Sequence, residues 1–120
     1  MEPRQYYSDW VFRRGLDYHY CKLFCKPGPT HTGYDYYYCI FYPSQPRYVY
    51  YYDTLKRSYW GRLDLEGGPG KRFSLLDEAD RKDKLRDLAE SAFPEPASMP
   101  SIPGAEDGEP ILPITRLPAS

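Results

Sequence analysis

Residues 34–52 read YDYYYCIFYPSQPRYVYYY, and this stretch decides the fold. Two aromatic runs, residues 34–42 and 48–52, are separated by a short segment that contains two prolines. Aromatic and β-branched residues bounded by proline are typical of β-strands, and a short connection between consecutive strands favours antiparallel pairing. We therefore predict that these two runs form an antiparallel hairpin.

Two further runs of the same character flank this hairpin. Residues 17–25 read DYHYCKLFC and end at a Pro-Gly-Pro turn, and residues 58–65 read SYWGRLDL and end at a glycine-rich turn. Strand runs punctuated by glycine and proline at short intervals are typical of an antiparallel meander. The fold class predicted for residues 1–73 is a small tyrosine-rich meander of three to four strands, within a mainly β (α+β) chain.

Side-chain alternation along a strand assigns the rings to two faces. Tyr36, Tyr38 and Ile40 point to one side of the sheet, whereas Tyr37 and Cys39 point to the other. A sheet that is apolar on both sides is normally covered on both sides. We therefore expect a helix, a tail, a second sheet or another copy of the chain to cover these faces.

The second half of the chain has a different composition. Residues 74–93 read SLLDEADRKDKLRDLAESAF, whose apolar residues recur at roughly helical spacing, and we predict one amphipathic helix on or beside the sheet. Residues 94–120 are rich in proline, which favours an extended, polyproline-like tail. The tail also carries spaced apolar residues, so we expect it to dock on an apolar surface. The residues predicted to dock are Pro94, Pro96, Met99, Pro100, Ile102 and Pro103.

Charge is divided between the two halves of the chain. The net charge is -1 at pH 7, but residues 1–62 have an excess of Lys and Arg whereas residues 63–120 have an excess of Asp and Glu. Halves of opposite sign attract each other within one chain or between copies, although each exposed ion pair contributes less than about 1 kcal/mol. This division is compatible with self-association.

The sequence contains no apolar run long enough to span a membrane. The N-terminal residues also lack the apolar stretch of a signal peptide. The compartment is left open: we expect the cytoplasm if Met1 is the native start, and an extracellular location if the chain is a processed mature form.

The three cysteines, Cys21, Cys25 and Cys39, are an odd number, which favours reduced, buried thiols over a complete disulfide framework. Pairing of Cys39 with Cys21 or Cys25 across neighbouring strands is a second possibility. Together with His19 and His31 these thiols also form a candidate zinc set. However, three intervening residues on a strand separate Cys21 from Cys25 by about 13 Å. We therefore predict neither a metal site nor a cofactor.

Residues that carry catalysis are scarce. No Ser/His/Asp order, Cys/His pair or HExxH run is present, and the glycine-rich segment 67–72 contains Pro69 and lacks the Ser or Thr of a phosphate-binding loop. This segment is better interpreted as a flexible turn. We predict that the protein is not an enzyme and has no small-molecule substrate.

The stretch YYYDTLKRSYW, residues 50–60, resembles the second hairpin of a WW domain. The residues that carry this resemblance are Tyr51, Tyr52, Asp53, Ser58 and Trp60. In that family the tyrosine and tryptophan rings form a groove for a polyproline ligand, so the resemblance implies ligand contact by Tyr51 or Tyr52 and by Trp60.

A longer but looser similarity covers YYYDTLKRSYWGRLDL, SLLDEADRK and ESAFPEPASMPSIP. These stretches resemble runs in uncharacterised small tyrosine-rich proteins of planctomycete-type bacteria. The similarity implies no function. It suggests only that the sheet, the following segment and the tail belong to one unit.

Two functional hypotheses remain. In the first, an aromatic platform docks proline-rich segments in cis, in a neighbouring copy or in a partner, as expected of an interaction module, a self-assembling protein or an accessory subunit of a larger complex. The platform residues predicted are Tyr36, Tyr38, Tyr50, Tyr52 and Trp60. In the second, the aromatic sheet binds single-stranded nucleic acid by stacking. The sequence pI of about 6.1 favours the first hypothesis, because nucleic-acid-binding domains are usually basic.

Overall fold

Seven antiparallel β-strands form one sheet in the computed structural model, which describes residues 3–118. The strands are β1 (Gln5–Tyr7), β2 (Val11–Arg13), β3 (Tyr18–Cys25), β4 (Asp35–Phe41), β5 (Tyr48–Asp53), β6 (Ser58–Asp64) and β7 (Phe73–Leu75). Their order across the sheet is β1-β3-β4-β5-β6-β7, and β2 pairs with β3 next to β1. Strands β3 to β7 therefore form a meander in which each strand pairs with the next.

The prediction of a tyrosine-rich antiparallel sheet is confirmed. The four runs recognised in the sequence correspond to β3, β4, β5 and β6, with ends that differ by at most one residue. The predicted number of strands was too low because β1, β2 and β7 have three residues each. Such short edge strands carry too few residues for alternation to be recognised in the sequence.

One face of the sheet, here called the core face, carries the larger hydrophobic core. Its buried residues from the strands are Cys21, Leu23, Cys25, Cys39, Val49, Tyr51, Trp60, Leu63 and Phe73. Three isoleucines from the C-terminal segment, Ile102, Ile111 and Ile114, pack into the same cluster, and each is at most 8% exposed. The C-terminal segment is therefore part of the folded core.

The extended proline-rich tail expected for residues 94–120 is not what the structure shows for the described part, residues 94–118. Ala97 exchanges two backbone hydrogen bonds with Phe73 at 2.8 and 2.9 Å. The segment then turns back on itself, because the backbone N–H of Ile111 donates to the carbonyl of Pro100. Trp10 further anchors it by donating from Nε1 to the Arg116 carbonyl at 2.8 Å. The isoleucines spaced between the prolines cause this folding, since their burial on the core face outweighs the preference of proline for an extended chain.

The opposite face, here called the tyrosine face, is covered only in part. Tyr50 and Tyr59 are buried there with Ile40, and Leu76, Leu85, Leu88, Ala92 and Phe93 pack against them. These covering residues lie in residues 76–93, which connect β7 to the C-terminal segment.

The prediction of a helix over residues 74–93 was wrong. Phe73–Leu75 is a strand, and the segment beyond it contains three isolated 3-10 turns, Glu78–Asp80, Leu85–Asp87 and Glu90–Ala92. Nine positions separate Leu76 from Leu85, so the charged middle of the segment offers no large apolar side chain to hold a helix against the sheet. Backbone hydrogen bonds to β6 replace the helical ones: Leu76 N–H donates to the Trp60 carbonyl, and Tyr59 N–H donates to that of Lys82. Within residues 3–118, no helix is long and apolar enough to cross a membrane.

The contribution of the C-terminal segment to stability can be tested at two adjacent residues. Ile111 is 1% exposed in the core, whereas Leu112 is 56% exposed. We expect Ile111→Ala to lower the free energy of unfolding by about 2–5 kcal/mol, because it leaves a cavity in the core. Leu112→Ala, the matched control, should change it by less than about 0.5 kcal/mol. Urea unfolding followed by tyrosine fluorescence measures both; equal effects would show that the segment does not belong to the core.

Candidate functional site

The five residues predicted to form an aromatic platform lie on two faces of the sheet. Tyr36, Tyr38, Tyr50 and Tyr52 belong to the tyrosine face, whereas Trp60 packs in the core face. Tyr36 is 41% exposed, but Tyr50 is only 3% exposed. The structure therefore does not bring these five rings together into one surface.

A β-bulge in β6 lets two successive residues, Trp60 and Gly61, lie on the core face. Tyr51 pairs with Gly61 and Tyr52 pairs with Tyr59, so Trp60 is an extra residue in β6. Two successive residues of a bulged strand oppose one residue of its partner. As a result Trp60 and Gly61 lie opposite Tyr51, and Tyr59 points to the tyrosine face.

Gly61 is required at this bulge because the ring of Phe73 occupies the space of a side chain. An added Cβ would clash with Phe73 Cε1 and would lie 2.8 Å from the backbone oxygen of Ser74. The close approach lets Phe73 pack beside Trp60, with ring centroids 5.7 Å apart. Tyr51 and Tyr37 meet the same indole edge-on, at 5.3 and 5.5 Å.

A broad groove of about 950 Å³ opens beside this aromatic cluster. Tyr37 and Trp60 line it together with the β5–β6 turn and residues 100–105 of the C-terminal segment. We call it the Trp60 groove. Its lining residues are Tyr34, Asp35, Tyr36, Tyr37, Asp53, Thr54, Leu55, Lys56, Trp60, Leu75, Arg81, Pro100, Ser101, Ile102, Pro103, Gly104 and Ala105.

Trp60 contributes an unsatisfied donor at this position. Its Nε1 is buried, and no residue between 3 and 118 supplies an acceptor within hydrogen-bond distance. A buried donor without a partner costs roughly 1–3 kcal/mol, so native structures seldom retain one without a reason. The other tryptophan, Trp10, shows the usual situation, since its Nε1 donates to a carbonyl at 2.8 Å.

The lining of the Trp60 groove includes exposed apolar side chains. Leu55 is 94% exposed, Leu75 is 43% exposed and Tyr36 is 41% exposed. Two carboxylates, Asp35 and Asp53, are balanced by the cations Lys56 and Arg81. The groove therefore offers an apolar surface with no excess of either charge.

The predicted docking residues have separate positions in the structure. Pro100, Ile102 and Pro103 line the Trp60 groove, and Met99 packs against the core cluster. Pro94 accepts a hydrogen bond at its carbonyl from Ser74 Oγ, and Pro96 is half-buried. Half of the predicted set thus lines the groove.

Tyr37 is a groove residue that the sequence-based platform omitted. Its ring packs edge-on against Trp60, and burial raises the pKa of its hydroxyl well above the ordinary value, with the charge of Cys25 next in importance. The hydroxyl is therefore protonated near neutral pH and is able to donate. Strand alternation had placed Tyr37 on the face opposite Tyr36 and Tyr38, so a search for rings near Trp60 on that face would have found it.

The two tyrosines identified through the WW-like stretch lie on opposite faces of the sheet. Tyr51 is fully buried against Trp60 on the core face, and Tyr7 and Tyr51 share a hydroxyl hydrogen bond of 2.8 Å. Tyr52 lies on the tyrosine face, where its hydroxyl donates to Asp83. Of these two WW-like tyrosines, Tyr51 contacts the indole of Trp60 and Tyr52 does not.

The cysteines are free thiols, and all three are buried on the core face. Cys21 and Cys39 are direct partners in the β3–β4 register, whereas Cys25 pairs with Asp35. Burial raises the pKa of Cys25 to about 12 and that of Cys39 well above its ordinary value, so these thiols are protonated and unreactive near neutral pH. No cluster of His, Cys, Asp or Glu within the described chain is arranged to hold a metal ion.

No protein-family model, curated protein or solved structure matches this chain. The function is therefore inferred from the geometry of the chain's own residues.

The close packing of Gly61 against Phe73 can be tested by substitution. We expect Gly61→Ala to lower the free energy of unfolding by about 2 kcal/mol, since the added methyl group would displace Phe73 and disturb the contacts of Trp60. Gly68→Ala is the control, because nothing lies within 4 Å of its added Cβ. Thermal unfolding of both variants measures the difference; an unperturbed Gly61→Ala protein would show that the bulge is not tightly packed.

Proposed function

We propose that this protein is a non-enzymatic interaction module whose Trp60 groove binds an extended, proline-rich segment of a partner protein. The single observation that carries the proposal is the buried indole N–H of Trp60, which has no acceptor among residues 3–118 and belongs to a residue that lines a groove of about 950 Å³. Because the N–H is itself buried, a ligand carbonyl reaches it only when a lining side chain moves aside, and the new hydrogen bond would then relieve the cost of the unpaired donor.

A proline-rich ligand suits the groove for two reasons. Proline supplies a carbonyl acceptor but has no backbone N–H, so it introduces no new donor that the aromatic surface would leave unpaired. Its fixed φ also limits the entropy lost when an extended peptide binds to rings. Tyr36 and Tyr37 provide most of the accessible aromatic surface, since Trp60 is only 5% exposed, and the exposed Leu55 and Leu75 provide apolar contacts for neighbouring side chains.

The source of the peptide is a separate protein in this proposal. The chain's own Ile102, Ile111 and Ile114 are already buried in the core, and Pro100 and Pro103 form part of the groove lining. This segment therefore shapes the groove and is not free to fill it. A proline-rich stretch from elsewhere would lie beside these prolines, across the indole of Trp60.

The charges of the groove favour a peptide over a nucleic acid. Phosphate binding requires a local excess of Lys and Arg, and affinity then falls steeply as the salt concentration rises. Asp35 and Asp53 offset Lys56 and Arg81 in the lining. A polyanion would gain little from this groove, whereas an uncharged peptide backbone is not affected.

The proposal is tested by titrating the full chain with acetylated decaproline and measuring binding by isothermal titration calorimetry, which needs no tryptophan as reporter. Trp60→Phe keeps an aromatic ring but removes the N–H. We expect it to weaken decaproline binding about fivefold, the equivalent of one net hydrogen bond of about 1 kcal/mol. Its free energy of unfolding should change by no more than about 1 kcal/mol, because loss of the unpaired donor offsets the loss of packing.

Trp10→Phe is the matched control, since Trp10 makes a satisfied hydrogen bond and does not line the groove. It should bind decaproline as the unmodified protein does. A glycine-serine peptide of equal length should not bind. If Trp60→Phe binds decaproline with unchanged affinity, the N–H has no role and the proposal is wrong; salt-sensitive binding of oligothymidine without decaproline binding would favour the nucleic-acid alternative.

A further inference from the structure

A second cavity, on the tyrosine face, is lined mainly by tyrosine rings. It has a volume of about 330 Å³, near the lower end of the range for small-ligand pockets. Five of its eight lining residues are tyrosines. The lining residues are Arg13, Tyr18, Tyr20, Tyr38, Ile40, Tyr52, Tyr59 and Asp83. We call this cavity the tyrosine cage.

The rings of the cage meet in corners. Tyr20 and Tyr38 are 5.5 Å apart with their planes at 88°, and Tyr52 and Tyr59 are 4.9 Å apart at 69°. Rings in such edge-to-face pairs can enclose a small group on several sides. Asp83, which accepts the hydroxyl hydrogen of Tyr52, is the acidic residue of the lining.

Cationic side chains lie over other tyrosine rings of the same face. Lys22 Nζ lies 4.8 Å from the centroid of Tyr36, and the guanidinium carbon of Arg62 lies 3.9 Å from that of Tyr48. Lys22 Nζ also lies 5.9 Å from the centroid of Tyr38, but within the described part of the chain no cation is stacked on the other four cage tyrosines, Tyr18, Tyr20, Tyr52 and Tyr59. The cage thus contains electron-rich ring faces that none of the described residues uses in this way.

We propose that the tyrosine cage binds a methylated ammonium group, either on a free small molecule such as choline or on a trimethylated lysine side chain. Ring faces attract such cations through their quadrupole, and methylation lowers the cost of removing the charge from water compared with a primary ammonium. Asp83 supplies the opposite charge, and it also forms an exposed ion pair with Arg57, whose Nη2 lies 3.9 Å from Asp83 Oδ2. Arg13 has the same charge as the ligand and weakens its binding.

The protonation state of the cage agrees with this chemistry. Burial, followed by the hydrogen bond to Asp83, raises the pKa of Tyr52 to about 12. Burial also raises the pKa of Tyr59 well above the ordinary value. Tyr52 and Tyr59 are therefore neutral phenols near pH 7.

This site goes beyond the proposed function because its lining shares no residue with the lining of the Trp60 groove. Trp60→Phe should leave ammonium binding unchanged, and the cage variants below should leave decaproline binding unchanged. Failure of either proposal is thus separable from failure of the other.

The first test titrates the full chain with choline and with 3,3-dimethyl-1-butanol, the uncharged analogue of the same shape, and follows tyrosine signals by NMR. We expect choline to bind saturably and the neutral analogue to bind at least tenfold more weakly. Equal affinity for the two, or no binding of choline and of a trimethyllysine peptide, would overturn the proposal. Binding of the peptide but not of choline would support it and assign the ligand to a modified protein.

Variants locate the binding to the cage. Tyr20→Leu removes a ring face and should weaken choline binding at least fivefold, whereas Tyr20→Phe retains the face and should bind normally. Arg13→Ala should strengthen binding several-fold, because it removes a like charge. Tyr6→Leu is the matched control, since Tyr6 is 41% exposed and lies outside the lining. If Tyr6→Leu weakens binding as much as Tyr20→Leu, the ammonium group is not held in the cage.

Discussion

The whole structure depends on one constraint: the central strands carry large rings on both sides, so both faces of the sheet must be covered. Tyr50 and Tyr51 are neighbours on β5 and point to opposite faces, yet they are 3% and 0% exposed. Each ring buries 150–250 Å², which makes such side chains the largest contributors to a small core. The chain meets this requirement with two segments that have almost no regular structure of their own, residues 76–93 on the tyrosine face and residues 97–118 on the core face. The two candidate sites lie where this cover is incomplete.

The bulge in β6 keeps the residues on either side of Trp60 and Gly61 aligned with the two faces of the sheet. Without it, strict alternation from Tyr59 would point Arg62 to the same side as Trp60. With Trp60 inserted as an extra residue, Arg62 lies opposite Tyr50 on the tyrosine face, and Leu63 returns to the core face opposite Val49. The additional residue thus allows the indole of Trp60 to line the groove, while the tyrosine face remains continuous from Tyr38 to Tyr59.

The local pattern of the sequence was sufficient for the strands but not for what covers them. Aromatic runs bounded by proline and glycine located β3 to β6, because strand formation there agrees with both propensity and alternation. The helix expected for residues 74–93 failed because propensity is a weak guide where the backbone finds partners on β6 and the large apolar anchors are few: Leu76, Leu85, Leu88 and Phe93. For the sites, Trp60 and Tyr38 were named from composition and motif, but as parts of one platform, because alternation does not reveal the strand register and the bulge that set their faces. Tyr37 could have been found by alternation, whereas Asp83 became recognisable only when residues distant in sequence were brought together.

The cover on the tyrosine face is positioned by a buried cation. Arg62 is 7% exposed and lies between the rings of Tyr48 and Phe93, with its guanidinium carbon 3.9 and 4.0 Å from their centroids. Its Nη1 and Nη2 donate to the two carboxylate oxygens of Glu90, and this pairing lowers the pKa of Glu90. Burying a guanidinium has a large desolvation cost, so an apolar residue of similar size would serve stability equally well. An apolar residue would not orient the covering segment. The planar N–H donors of Arg62 bind one carboxylate in one orientation, and this fixes where residues 76–93 lie on the sheet. Asp83 belongs to that same segment. The geometry of the tyrosine cage therefore rests on an ion pair that contributes position more than it contributes stability.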